Sequence, residues 1–273
     1  MSWVRSKVST SVTGLIDVQN QNDEREVPLA KVGVKGLKYP VRVLDKLKKF
    51  QYTTACVDLY ANVPQHFKGT HMSRFVEIFH EYRNDLSMNH FLDMLNRIRE
   101  RLEAASAFGE LRFPYFLEKY APVSTLPSML SYHCCYRGSV QPELHRFTVE
   151  VSVPVTTVCP CSKMISDRGA HNQRGIVTVE VELGPFFWLE DLITLIEQSA
   201  SSPVYSLLKR SDEKYVTEHA YDNPKFVEDL VRDVYLKIVE LKKFPYFSVK
   251  AENFESIHNH SVFAYTEFPH GRT

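Results

Sequence analysis

The chain has 273 residues, with 33 Lys and Arg against 33 Asp and Glu, and it is 44% hydrophobic and 12% aromatic. That composition belongs to a folded globular protein and excludes a disordered chain, a collagen-like repeat and a coiled coil. A formal net charge of zero argues against nucleic acid or an anionic membrane as a partner, because both draw on a surplus of Lys and Arg. No run approaches the roughly 18 apolar residues that span a bilayer, and residues 1–21 lack the apolar core of a secretory signal, so a cytoplasmic protein is expected. The five cysteines, Cys56, Cys134, Cys135, Cys159 and Cys161, make an odd number at spacings unlike a disulfide framework. They are expected to be free thiols, ligands or nucleophiles.

In chain order, residues 1–27 form a polar arm, with no apolar side chain between Gln19 and Glu26. Two strand-like runs follow, Ala30 to Val43 and Tyr52 to Val63. Ser73 reads as the N-cap of a helix with Phe75, Ile78, Phe79 and Tyr82 on one face, and Ser87 or Asn89 opens a second with Leu92, Leu95, Ile98 and Leu102 inward. Ser128 to Tyr136, Leu144 to Val155 and Arg174 to Leu183 alternate as strands, and Trp188 to Ser199 has helical spacing. Asn223-Pro224 reads as an N-cap and first-turn pair for a helix to about Lys243, and Phe247 to Asn253 and Ser261 to Phe268 close the chain as strands. The fold class is α+β, with antiparallel sheets and helices layered on one face. No Gly-rich phosphate loop or dinucleotide fingerprint is present.

The chemistry concentrates between Val155 and Arg174. Cys159-Pro160-Cys161 ends a strand, and His171 follows ten residues later. In extended backbone, residues two apart project to one side, so both sulfurs could face one cleft. A Cys-x-Cys with one His suits an open catalytic site better than a closed structural zinc site, which wants four ligands. Buried, inert thiols with a surface histidine are the competing reading of the same residues. Cys56, Cys134 and Cys135 sit in strand-like runs with no histidine that suggests a site, and are read as core.

Lys68-Gly-Thr-His71-Met-Ser73-Arg74 precedes the first helix, where backbone N–H groups and three basic side chains would attract a phosphate; a solvated loop with an N-cap serine fits equally. The stretch from Arg210 to His219 reads as a solvated charged loop. Glu228 falls in the first turns of a capped helix, where a fixed carboxylate can accept from two adjacent donors. His258 and His260 lie in a turn between two strands, as an exposed loop or as a site wall.

Five ordered motifs together resemble the type IB GTP cyclohydrolases of the tunnelling-fold superfamily: Asp17 to Gln21, Lys68 to Phe75, Val155 to Lys163 with Gly169 to Arg174, Asp212 to Thr217, and Glu255 to His260. The resemblance implies two tandem halves, residues 28–127 and 128–273, each an antiparallel sheet with a helix pair. It also implies a homotetramer with active sites at subunit interfaces. The implied reaction turns GTP and water into 7,8-dihydroneopterin triphosphate and formate, on the route to folate or to deazaguanine-modified tRNA bases. Carried across residue by residue, Cys159, His171 and Glu213 are the ligands of one divalent metal, Zn, Mn or Fe, in each active site. Cys161 is the essential thiol, Glu228 the purine anchor and His258 a catalytic histidine, while Lys68, His71, Ser73, Arg74 and Lys163 are candidate binders of the rest of the substrate. Two other activities are weighed: a tunnelling-fold nitrile reductase, with NADPH and a nucleophilic Cys but no metal, and a non-catalytic purine-binding module.

Overall fold

The computed structural model of the protein describes Gln19 and residues 21–269. The arm's residues 1–18, and with them the start of the Asp17 to Gln21 motif, lie outside the described residues, as does Asn20. The elements are β1 (Leu29–Asp45), β2 (Lys49–Val63), α1 (Met72–Tyr82), α2 (Met88–Arg101), β3 (Ala107–Tyr120), β4 (Pro127–Val140), β5 (His145–Val158), α3 (Pro160–Ile165), β6 (Asn172–Glu182), α4 (Leu189–Glu197), β7 (Ser202–Pro203), α5 (Arg210–Asp222), α6 (Val227–Leu241), β8 (Phe247–Phe254) and β9 (Ser261–Phe268). Neighbouring strands hydrogen-bond in the order β1-β2-β3-β4-β5-β6-β8-β9, with β7 on β5. The class is α+β, as the order of the sequence signals predicts.

The chain divides into two compact units, the first made of Met1–Leu44, Phe50–Leu111 and Arg137–Phe147, and the second of Asp45–Lys49, Arg112–Tyr136 and Thr148–Thr273. In the first, α1 buries Phe75, Ile78 and Phe79, and α2 buries Phe91, Met94, Leu95 and Ile98. These are the i, i+3, i+4 spacings of an amphipathic helix, and each such side chain contributes about 1.5–3 kcal/mol by leaving water. The helices need notches in the strands beneath them. A Cβ at Gly138 would stand 2.8 Å from a ring carbon of Phe91, and one at Gly109 2.9 Å from a methyl of Leu95. The N-cap of α1 is His71 rather than Ser73, because the chain is still extended only at His71 (φ −83, ψ 106) and Ser73 already lies inside the first turn.

In the second unit, β5 pairs antiparallel with β6 through Thr157↔Gln173 and Val155↔Gly175, β6 with β8 through Gly175↔Asn253, and β8 with β9 through Asn253↔Val262. Helix α6 lays Val227, Leu230, Val231, Val234 and Ile238 against this layer. It begins at Val227, not at Pro224. Asn223 is instead the C-cap of α5, its amide donating to the His219 carbonyl at 2.7 Å, and Lys225 N–H bonds the Val158 carbonyl at 2.9 Å. The next free start is Phe226, whose N–H meets the Asp229 carboxylate at 3.2 Å.

Three elements depart from the expectation. No strand is predicted between 103 and 127, yet β3 alternates buried Ala107, Gly109, Leu111, Phe113 and Tyr115; Gly109 and Pro114 mask its period of two. The charged stretch from Arg210 is a helix, not a loop, for a reason given below. Residues 160–165 form a helical turn rather than extended chain.

Three buried or half-buried phenol and ammonium groups of this unit find carboxylate partners. Lys119 Nζ stands 2.8 Å from Glu197 Oε1, which also accepts from Tyr132 Oη at 2.8 Å, and Tyr115 Oη donates to Glu190 at 2.6 Å. Burial pushes the Tyr115, Tyr132 and Tyr136 hydroxyls well above the usual phenol range, with Glu190 and Glu197 adding to the shift. Burial lowers Lys119 against the opposing pull of Glu197. Cys134 and Cys135 are core residues, and burial raises the Cys134 thiol far above its ordinary value.

Candidate active site

The end of β5 and the start of β6 set Cys159 and His171 side by side. Register carries Val158 opposite Asn172, and one step further Cys159 N–H donates to the His171 carbonyl at 3.1 Å. Pro160 then turns the chain into α3, whose N-cap is Cys159 itself, its sulfur accepting from Ser162 N–H at 3.4 Å. Ser162 ties the loop shut, since its hydroxyl donates to the Cys159 carbonyl at 3.2 Å and accepts from His171 N–H at 3.1 Å.

This helical turn removes the extended geometry in which both sulfurs could face one cleft. Residues two apart on a helix point away from each other. Cys159 is half-buried at the cap, while Cys161 lies exposed on α3.

His171 is oriented by its neighbours. Its Nδ1 lies 3.2 Å from Gln173 Oε1 and 3.6 Å from Glu255 Oε2, in a recess where the His171 and Glu255 side chains are 16% and 10% exposed. On the same face Asn253 is 1% exposed, and neither of its amide atoms has a hydrogen-bond partner. Glu255 belongs to a motif singled out in the sequence, where nothing marks it for a role. Only the pairing of β6 with β8, a contact 84 residues long in sequence, brings it to His171, and no local pattern signals that.

Glu213 lies elsewhere on the second unit. It occupies the exposed first turn of α5, beside Arg210, Lys214, Thr217 and Glu218 around an open hollow. The helix is seated by the preceding residue. Asp212 is fully buried, and its carboxylate accepts from Val123 N–H, Ser124 N–H and Lys209 N–H at 2.8 Å each and from Ser124 Oγ at 2.6 Å. Burial opposes the charge, but these four donors outweigh it and hold the carboxyl well below the usual range.

The other end of α5 is what meets α3: Lys163 Nζ donates to the Tyr221 carbonyl at 2.5 Å and lies over the Tyr221 ring. Eight residues of helix, about 12 Å at 1.5 Å per residue, separate Glu213 from that contact. Among the described residues no group of three or more His, Cys, Asp or Glu side chains is gathered to hold a metal ion. Cys159 and His171 are thus brought together, and Glu213 is not brought to them within one chain. The soft sulfur and the imidazole nitrogen are nevertheless donors suited to a borderline divalent ion.

Glu228 sits in the first turn of α6, exposed, on the rim of a hollow of about 510 Å³ lined by Val231, Tyr235, Leu236 and Tyr265 among others. His258 is exposed in the turn between β8 and β9, its ring stacked on His260 at 5.0 Å. In the first unit, His71 and Arg74 border a hollow of about 180 Å³ with Thr70, Asn62 and Leu102, and Arg74 also donates to the Arg101 carbonyl at 3.2 Å. Lys68 and Ser73 are exposed at the same end of α1. No helix among the described residues is long and apolar enough to cross a membrane.

Residues 15–264 match the family profile described as type I GTP cyclohydrolase folE2. A protein named GTP cyclohydrolase FolE2 from Syntrophus aciditrophicus is 54% identical over 253 residues, covering 93% of this chain and 99% of the relative. One of the same name from Geotalea uraniireducens is 52% identical over 251 residues, 92% of each chain. Among solved structures, uricase from Arthrobacter globiformis superposes with a TM-score of 0.51 over 90% of this chain and 95% of that one, at 6% identity. That likeness is one of architecture alone, the tunnelling fold.

Proposed function

The chain belongs to the type I GTP cyclohydrolase folE2 family, and from that premise we propose that it converts GTP and water into 7,8-dihydroneopterin triphosphate and formate. Within the family we place it with the type IB enzymes, as a metal-dependent cytoplasmic homotetramer feeding folate or deazaguanine-modified tRNA bases. Five free thiols, two of them outside the core at the candidate site, suit a reducing compartment.

The observation that carries the reading is the fixed pair of Cys159 and His171 at adjoining strand ends. They would hold a divalent ion, Zn, Mn or Fe, with Glu213 as the third ligand. Such an ion would supply Lewis acidity beside these residues. Because Glu213 stands away from the pair in a single chain, we assign that ligand to a neighbouring copy.

The remaining roles fall to this chain's own groups. Glu228, at a helix start, accepts from N1–H and the 2-amino group of guanine, an edge that adenine lacks. Lys68, His71, Ser73, Arg74 and Lys163 are the candidate holders of the triphosphate, of which Lys163 would first have to leave the Tyr221 carbonyl. Cys161 is exposed and free to reach substrate, and His258 can take and return protons as the imidazole ring opens, the formyl group is cleaved and the pterin ring closes.

The test is formate release and pterin fluorescence from GTP, using metal-free protein resupplied with Zn, Mn or Fe. Formate from GTP but not ATP is expected, and none with any ion defeats the reading. Co-expressed Cys159→Ala and Glu213→Ala chains should regain part of the activity that each alone lacks; no regain would return Glu213 to its own chain's site.

A further inference from the structure

His171 has two ring nitrogens, and only an unprotonated one can ligate. Gln173 Oε1, an acceptor, lies 3.2 Å from Nδ1. Glu255 Oε2, an acceptor whichever way the amide is turned, faces the same nitrogen at 3.6 Å, beyond hydrogen-bond length. Both therefore ask Nδ1 to carry the hydrogen, which leaves the lone pair of the neutral ring at Nε2.

Gln173 is well placed to hold that arrangement. It is 7% exposed, its backbone is locked opposite Thr157 in the β5–β6 ladder, and it lies on the same strand face as His171, two residues along. A side chain so confined keeps one geometry, and His171 stands just before β6 with its N–H bonded to Ser162 and its carbonyl to Cys159.

We propose that Gln173 is a positioning residue: by accepting from Nδ1–H it selects the tautomer of His171 whose Nε2 is free to bind metal. The inference rests on the assignment of His171 as a ligand, but the tautomer is a property of the metal-free chain and is read without metal or turnover. Outer-shell partners of this kind typically change metal affinity by about ten- to a hundredfold.

The experiment uses full-length protein with ¹⁵N-labelled histidine, metal-free, at a pH where the imidazole is neutral. Long-range ¹H–¹⁵N spectra should show His171 protonated at Nδ1 in the wild type; protonation at Nε2 there overturns the proposal with no variant needed. Gln173→Met, which keeps the length and loses the acceptor, should move the proton off Nδ1 and weaken Zn²⁺ binding about ten- to a hundredfold in competition with a chromophoric chelator. Gln173→Glu, which restores an acceptor, should recover both. An unchanged tautomer in Gln173→Met, or a tautomer that moves only in Glu255→Ala, gives the role to Glu255 and overturns the assignment. A wild type that holds Nδ1–H through Gln173 but binds no metal supports the positioning contact and defeats the ligand reading instead.

Discussion

Cys159 and His171 are held by main-chain register, whereas Glu213 is held by a single neighbour. The first pair stands where two paired strands end, its N–H and C=O groups bonded to each other and to Ser162. Glu213 rides the first turn of α5, and what seats that turn is the buried carboxylate of Asp212 with its four donors. A ladder distributes its hold over many weak bonds, while a buried carboxylate concentrates it in one charged group. The first should tolerate acid and single substitutions; the second should not.

The harshest way to break the comparison is to remove the three proposed ligands. Cys159→Ala, His171→Ala and Glu213→Ala should each lose bound metal by elemental analysis and cut formate release by about a thousandfold or more, since Lewis-acid stabilisation is worth several kcal/mol. All three should keep a cooperative melt, because an open catalytic site contributes little to folding. Full metal occupancy in any one of them removes that residue from the set. Cys161→Ala, by contrast, should keep its metal and lose turnover.

Glu228→Gln separates ligand from anchor. GTP turnover should fall by about ten- to a hundredfold as charge-assisted bonds to the guanine edge are lost, with metal content unchanged. Undiminished turnover would take the anchor role away from Glu228.

Asp212→Asn probes the seat rather than the ligand. It leaves Glu213 in place but removes the charge that gathers Val123, Ser124 and Lys209, so the melting temperature should drop and metal binding weaken without vanishing. The pH dependence has a definite sign. A carboxyl held below its ordinary value lends stability that is present above about pH 4, the unfolded carboxylate range, and is lost as pH falls below it. Acid melts should therefore converge for wild type and Asp212→Asn below that point, and diverge above it. Parallel curves would mean that Asp212 carries no such charge-dependent hold.

The gentlest probe is Gly175→Ala on the strand side. A Cβ there would stand 2.4 Å from Asn253 Oδ1, and overpacking of this kind costs about 1–3 kcal/mol. Denaturant midpoints should shift accordingly while the metal stays bound.

The two regions also differ in how far the chain alone reveals them. The inward face of α1 is written in Phe75, Ile78 and Phe79, and β5 as far as Val155 in its run of valines, because each is local periodicity. Helix α5 is not legible that way. Its exposed face mixes charged residues with Ser211, Tyr215 and Thr217, and its start depends on a carboxylate bonded to residues 88 and 89 positions earlier. A separation of 84 residues likewise hides Glu255 beside His171. Cys159, His171 and Glu228 stood out by residue type and placement, but the parting of the two thiols followed from Pro160 opening a helical turn that a Cys-Pro-Cys spacing does not announce.

The buried tyrosines of the second unit turn the molecule into its own optical gauge. The chain has 14 tyrosines, and Tyr115, Tyr132 and Tyr136 are kept neutral far above the ordinary phenol value of about 10 by burial. A group raised in this way stabilises the folded state below about pH 10, and that contribution drains away as alkali ionises the unfolded chain. Exposed phenols other than Tyr120 and Tyr265, which are also held above the ordinary value, should redden early and reversibly in an ultraviolet titration, and the buried three only as their unit opens. The late step in phenolate absorbance would time the loss of the second unit directly, with no label and no substrate.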